Sequence, residues 1–173
     1  LPADIPCLVL PGNHDNPETL FSVFESQCNT SPDFFETIAL DELDMVFANT
    51  ATNVLPADQI EAIGRGSIRN GSLLFLHHPT EEVSGGFMDI TYPLKNRAEV
   101  SKAISESNIR HVFCGHFHTE SHVRGVYDLH VTPSPAFTVD SDSREAKIGP
   151  PRIPLREITV DGTSVRTRVL YLE

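Results

Sequence analysis

The chain has 173 residues, 39% hydrophobic and 21% charged, a balance that excludes both a disordered segment and a disulfide-stapled miniprotein. Thirteen lysines and arginines stand against 24 aspartates and glutamates, giving a formal charge of −11. That balance offers no basic face to the backbone of a nucleic-acid polymer, and no apolar run approaches the roughly 20 residues needed to span a membrane.

The acidic excess lies within residues 1–100, while residues 101–173 are balanced. Such a surface is either a solvated face or the surroundings of a cation. Three cysteines make an odd count. Cys7 and Cys114 sit inside apolar runs and read as buried thiols. Together with Cys28 they predict a reducing, cytoplasmic setting with no disulfide framework.

In chain order, Cys7-Leu8-Val9-Leu10 is the first of three short apolar runs that predict buried parallel strands. Pro17 to Gln27 follows as a helix opened by proline, with Leu20, Phe21, Val23 and Phe24 apolar. Phe34 to Ala39 and Leu43 to Asn49 flank the acidic turn Asp41-Glu42 and predict an antiparallel pair. Pro56 to Ile63 predicts a helix with Ile60 and Ile63 on one side. Leu73-Leu74-Phe75-Leu76 is the second buried strand. Asn96 to Ser107 is helical, with Val100, Ala103 and Ile104 in phase and Asn108 as its stop. Val112-Phe113-Cys114 is the third buried strand. The prolines of residues 133–154 predict an ordered excursion without helix. Leu155 to Val160 and Ser164 to Tyr171 flank Asp161-Gly162, a hairpin signal. The alternation of strand and helix predicts an α/β fold. Phenylalanines 21, 24, 34, 35, 47, 75, 113 and 137 read as core.

Each apolar strand runs straight into metal-competent residues. Leu10 is followed by Pro11-Gly12-Asn13-His14-Asp15, Leu76 by His77-His78-Pro79, and Cys114 by Gly115-His116-Phe117-His118. In open α/β sheets ligands collect at the carboxyl ends of strands, so three such ends are expected to meet. Imidazole and amide oxygen suit first-row divalent metals. His116 and His118, two apart on an extended segment, would point to one side. Gly12 and Gly115 would allow the sharp turns that bring backbone close to a ligand.

Gly12-Asn13-His14-Asp15, a strand-terminal His77-x-Pro79 and Gly115-His116-Phe117-His118, in this order, resemble the last three motifs of the calcineurin-like metallophosphoesterases. The resemblance runs from about residue 5 to the C-terminal hairpin. It implies the C-terminal part of a four-layer αββα sandwich and two divalent or transition-metal ions, Mn, Fe or Zn. Asn13, His77 and His116 would hold one ion and His118 the other. It implies hydrolysis of a phosphodiester by a metal-bridging hydroxide, with His14 as acid and Asp15 fixing the His14 tautomer. Pro11, His77-His78-Pro79, Pro56-Ala57-Asp58-Gln59 and Thr132-Pro133-Ser134-Pro135 resemble bacterial class III cyclic-nucleotide phosphodiesterases, so the expected substrate is a cyclic nucleotide. The expected partner is therefore a small phosphodiester, with neither nucleic-acid polymer nor membrane. Other small-molecule phosphoesters, or a ligand-poor scaffold without catalysis, are the alternatives. Thr80 to Leu94, with Phe87, Met88 and Tyr92, would form an aromatic lip stacking on a base, or a loop packed on itself.

The family's two earlier motifs, Asp-x-His and Gly-Asp-x-x-Asp, do not precede Gly12. Asp128-Leu129-His130 fits the first but follows the last motif, and reads as a strand with Asp128 and His130 on its wetter face. Asp41-Glu42-Leu43-Asp44 has the second spacing without its glycine. Residues 1–173 are therefore expected to be one domain, the C-terminal part of a longer phosphoesterase, inactive alone. His78 reads as packed or phosphate-contacting, and His111, His122 and His130 as surface or structural.

Overall fold

A computed structural model describes residues 5–24, 33–65 and 67–172. Its centre is a six-stranded sheet in the order β1-β2-β3-β4-β6-β5. The strands are β1 (Glu36–Leu40), β2 (Leu43–Phe47), β3 (Ser72–Phe75), β4 (Ile109–Cys114), β5 (Ser121–Arg124) and β6 (Asp128–Val131). The four inner strands β2, β3, β4 and β6 run parallel, and β1 and β5 close the edges antiparallel. The fold is mixed α/β with a mostly parallel central sheet, as the alternating pattern predicts.

Helices α2 (Ala57–Gly64) and α4 (Arg97–Glu106) cross between parallel strands. Their apolar stripes carry Ile63, Val100 and Ile104 onto one sheet face, against Val46, Leu74, Val112 and Leu129, all fully buried. Each such aliphatic side chain contributes roughly 1.5–3 kcal/mol. Pro56 stands at the N-cap of α2 and Asn96 at that of α4. The Asn96 amide also clamps Leu55, accepting its N–H and donating to its carbonyl. The opposite face is aromatic. Rings of Phe47, Phe75, Phe113, His130 and His122 stack from strand to strand with centroids 5.0, 5.3, 4.9 and 4.5 Å apart. The inner strands are therefore two-sided, with aliphatic residues toward the helices and rings on the other face.

Several expectations need correction. Cys7–Leu10 belongs to no strand among the described residues and is half-buried. Cys7 is a half-buried free thiol, whereas burial of Cys114 raises its pKa far above the usual range. Cys28 lies outside the described residues. Helix α1 (Pro17–Phe24) begins as expected, and its last expected turn also lies outside them. His130 is buried at 6% exposure rather than on a wetter face.

The excursion at 133–154 contains a small hairpin, β7 (Thr138–Val139) and β8 (Ile148–Gly149). The C-terminal hairpin β9 (Ile153–Asp161) and β10 (Ser164–Leu172) turns at Gly162, whose φ of +59° suits glycine. Among the described residues, no helix is long and apolar enough to cross a membrane.

Candidate active site

The carboxyl ends of β3 and β4 open onto a cleft of about 510 Å³. Its floor takes Gly12, Asn13, His14 and Asp15 from the turn before α1, His77 from the end of β3, and His116 and His118 from the end of β4. The three motifs thus meet, although Gly12 and His118 lie 106 residues apart. Parallel pairing places the ends of β3 and β4 together, and the turn before α1 brings the third motif to them. The ladder also continues past β3 and β4, Leu76 N–H to Phe113 O at 3.2 Å and Gly115 N–H to His77 O at 3.1 Å.

His77 is the hub. Its Nε2 lies 3.0 Å from Asn13 Oδ1 and 3.1 Å from His116 Nδ1. The His77 ring lies on Gly12, where an added Cβ would sit 2.9 Å from Cε1. Glycine at 12 is thus a seat for an imidazole rather than a flexible joint. Gly115 differs, because a Cβ there would find only Thr132 O, at an ordinary 3.8 Å.

The far nitrogens fix the rings. His116 Nε2 donates to Tyr92 O at 3.1 Å, and His118 Nδ1 donates to Phe137 O at 3.2 Å. These bonds put the unprotonated lone pairs on His116 Nδ1 and His118 Nε2, the arrangement by which backbone carbonyls orient metal-binding imidazoles. Burial and then the neighbouring His116 hold the His77 pKa at about 4. Burial likewise lowers those of His116 and His118. All three are neutral near pH 7, the form a metal needs.

His116 and His118 are not on an extended segment. Both have left-handed backbone, φ +61° and +55°, and Phe117 N–H closes a three-residue turn on Gly115 O at 2.7 Å. The turn sends Phe117 into the core at 2% exposure and both imidazoles into the cleft. Such strain in non-glycine residues concentrates at functional sites.

Asp15 comes out differently from expectation, and His78 takes the packed one of its two expected roles. Asp15 Oδ2 accepts the Gly12 N–H at 2.7 Å, and Asp15 N–H returns to Gly12 O at 3.2 Å. The carboxylate therefore closes the Gly12 turn. Among the described residues, no hydrogen bond joins it to the exposed His14 ring. His78, fully buried, uses both ring nitrogens, with Thr50 Oγ1 at 3.0 Å and Asn53 Oδ1 at 2.8 Å. It stands with His77 and His116 in a group that can hold a metal ion, but its own lone pair is already engaged, so it packs the site from behind.

The walls come from two segments tied together. Helix α3 (Phe87–Thr91) and Tyr92 form one wall, with Phe87, Met88 and Tyr92 lining the cleft. Phe137, Val139, Lys147 and Ile148 of the excursion form the other. Phe137, expected in the core, stands against the His118 ring at 4.2 Å. Phe87 N–H binds Ser143 O at 2.8 Å, and the Ser84 hydroxyl binds Ser141 O. Lys147 brings a cation to this wall, held by Asp140 at 2.7 Å. Sequence reading missed Lys147 because only the strand pairing of the excursion brings it over the cleft.

No family model matches the chain. Over 142 residues it is 33% identical to a protein of Fibrobacter succinogenes named a probable cyclic nucleotide phosphodiesterase. The alignment takes in 79% of this chain, and the chain spans 55% of that relative's length.

Proposed function

We propose that the chain carries the C-terminal half of a calcineurin-like metallophosphoesterase site, within an αββα sandwich, and that the protein hydrolyses a cyclic-nucleotide phosphodiester. The observation that carries this reading is the convergence of three lone-pair atoms, Asn13 Oδ1, His77 Nε2 and His116 Nδ1, at 3.0–3.1 Å about His77. Metal–nitrogen bonds of 2.0–2.1 Å set neighbouring ligands of one ion about 2.9–3.4 Å apart. The donor set therefore fits a divalent transition metal such as Mn, Fe or Zn. His118 Nε2 is available to a second ion, whose other ligands would come from sequence beyond these 173 residues. The partial span of the relative's length accords with that arrangement.

Bound metal supplies Lewis acidity toward the phosphoryl group and lowers the pKa of water. The rest falls to the chain. The His14 imidazole, exposed at the cleft floor, donates its proton to the leaving alkoxide oxygen, a role typically worth 10²–10⁴-fold. The Gly12–Asp15 turn sets the position of His14. Phe87 and Tyr92, with rings 5.8 Å apart on one wall, offer an apolar surface for a nucleobase. A small phosphodiester suits the cleft volume, and the acidic balance disfavours a nucleic-acid polymer.

The test uses the protein as its complete gene encodes it, loaded with manganese and assayed on 3′,5′-cyclic AMP. Turnover is expected, with loss in both His116→Ala and His14→Ala but loss of bound metal only in His116→Ala. Full activity in His116→Ala would refute the assignment.

A further inference from the structure

A second group of metal-competent side chains lies away from the cleft and shares no residue with it. His111 on β4 stands opposite Asp128 on β6 in the parallel register. His130 follows Asp128 two residues along the same strand, on the same face. His122 on β5 pairs directly with His130. One ligand atom each from His111, Asp128 and His130 lies within 4.8 Å of the others. At a rise of about 3.3 Å per residue, His111 is separated from the strand end that leads to His116 by roughly 10 Å of β4.

The nitrogens facing this point lack partners. Among the described residues, His111 Nδ1 and His130 Nε2 are buried ring nitrogens without a hydrogen bond, and His130 is only 6% exposed. A buried polar atom left so is destabilising and calls for a partner. Asp128 Oδ2 lies 4.0 Å from His111 Nδ1, while Asp128 Oδ1 accepts from His122 Nε2 at 3.0 Å. That bond orients the carboxylate and leaves its second oxygen facing the two imidazoles. Phe113 and His122 stack on the His130 ring at 4.9 and 4.5 Å and fix its plane.

From this juxtaposition we propose that His111 Nδ1, Asp128 and His130 Nε2 form a second, structural zinc site that ties β4 to β6, with His122 holding the carboxylate. Two imidazoles and a carboxylate suit zinc over the hard cations, which take oxygen ligands. Closing the three atoms onto one ion asks each side chain to move by less than about 1 Å, given ligand separations near 3.3 Å in a tetrahedral site. A groove lined by His122 and His130 runs beside the group. The neighbouring Arg156 directs its donors to Thr132 Oγ1, Val131 O and Thr167 Oγ1 and not to the site. Burial first, then the charges on His122 and Arg156, hold the His130 pKa at about 4, and burial lowers that of His111. Both are thus free of protons when metal arrives.

The probe is zinc alone, read by equilibrium dialysis and metal analysis in the His77→Ala/His116→Ala background, which silences the cleft. That protein is expected to keep one equivalent of zinc, and adding His130→Ala is expected to abolish it. Zinc content unchanged by His130→Ala would overturn the proposal, as would no zinc in the parent background. A measurement on the unsubstituted chain guards against a misfolded variant. In imidazole 15N NMR, zinc should move His111 Nδ1 and His130 Nε2. Unmoved His111 and His130 signals would refute the site, whatever the variants do.

Discussion

Gly12→Ala gives the most quantitative handle on the cleft. The added methyl would meet His77 Cε1 at 2.9 Å and both ring nitrogens at 3.2 Å. Ordinary carbon contacts lie at about 3.5–4.0 Å, so the ring must retreat by roughly 0.6–1 Å. It retreats from a position where its Nε2 is shared between Asn13 and His116 at 3.0 and 3.1 Å. A displacement of that size spoils ligand spacing while leaving the core untouched, because Gly12 is outside the packed face of the sheet. Misplacing a ligand's support typically costs about 10–100-fold in metal affinity. We therefore expect manganese affinity, by titration calorimetry, to fall by that factor. The metal-free unfolding free energy should shift by less than about 1 kcal/mol. Gly115→Ala is the control, since its methyl meets only Thr132 O at 3.8 Å and both quantities should hold. Equal metal affinity in Gly12→Ala and the parent would show that His77 does not need its seat, and the reasoning would fail.

Other expectations follow from the same contacts. His77, His78 and His130 have native pKa values near 4, 3 and 4, below an ordinary 6.5, so the unfolded chain binds about three more protons between those limits. Metal-free stability should be full above pH 6.5 and fall steeply toward pH 4, and a flat urea midpoint across that window would count against these burials. Phe87→Ala and Tyr92→Ala should raise KM for cyclic AMP about tenfold, as stacking worth 1–3 kcal/mol implies, and far less for a small aryl phosphodiester; equal effects on both substrates would remove the base-stacking wall. Arg69 binds both oxygens of buried Asp44 and holds down its carboxyl pKa. Arg69→Ala should therefore cost about 3 kcal/mol in chemical denaturation, with Asp44→Asn added to Arg69→Ala recovering part of it.

What could be read from residues alone was what is local. The helices at 57–64 and 97–106 carry their own starts and apolar phase, and the β9–β10 hairpin carries Asp161-Gly162. The three metal-competent motifs were legible because each follows an apolar run directly, and for His77 and His116 parallel pairing of β3 with β4 then brings the two ends together. Cys7–Leu10 misled because an apolar tetrapeptide becomes a strand only if another strand lies alongside. The roles of Asp15 and Gly115 depended on distances no spacing encodes. Of the His111, Asp128 and His130 group, the sequence offered only the Asp128-x-His130 pair. His111 joins it through the register of β4 on β6, and shifting that register by one residue would turn it to the other face.

The left-handed turn at His116 carries a cost that sets stability against ligation. Holding an L-residue in that region costs roughly 1–2 kcal/mol, more than the 0.4–1 kcal/mol of chain entropy that glycine adds to the unfolded state. His116→Gly should thus outlast His116→Ala on heating, although neither can bind metal there. Easing the turn and keeping the imidazole are thus opposed demands on one residue.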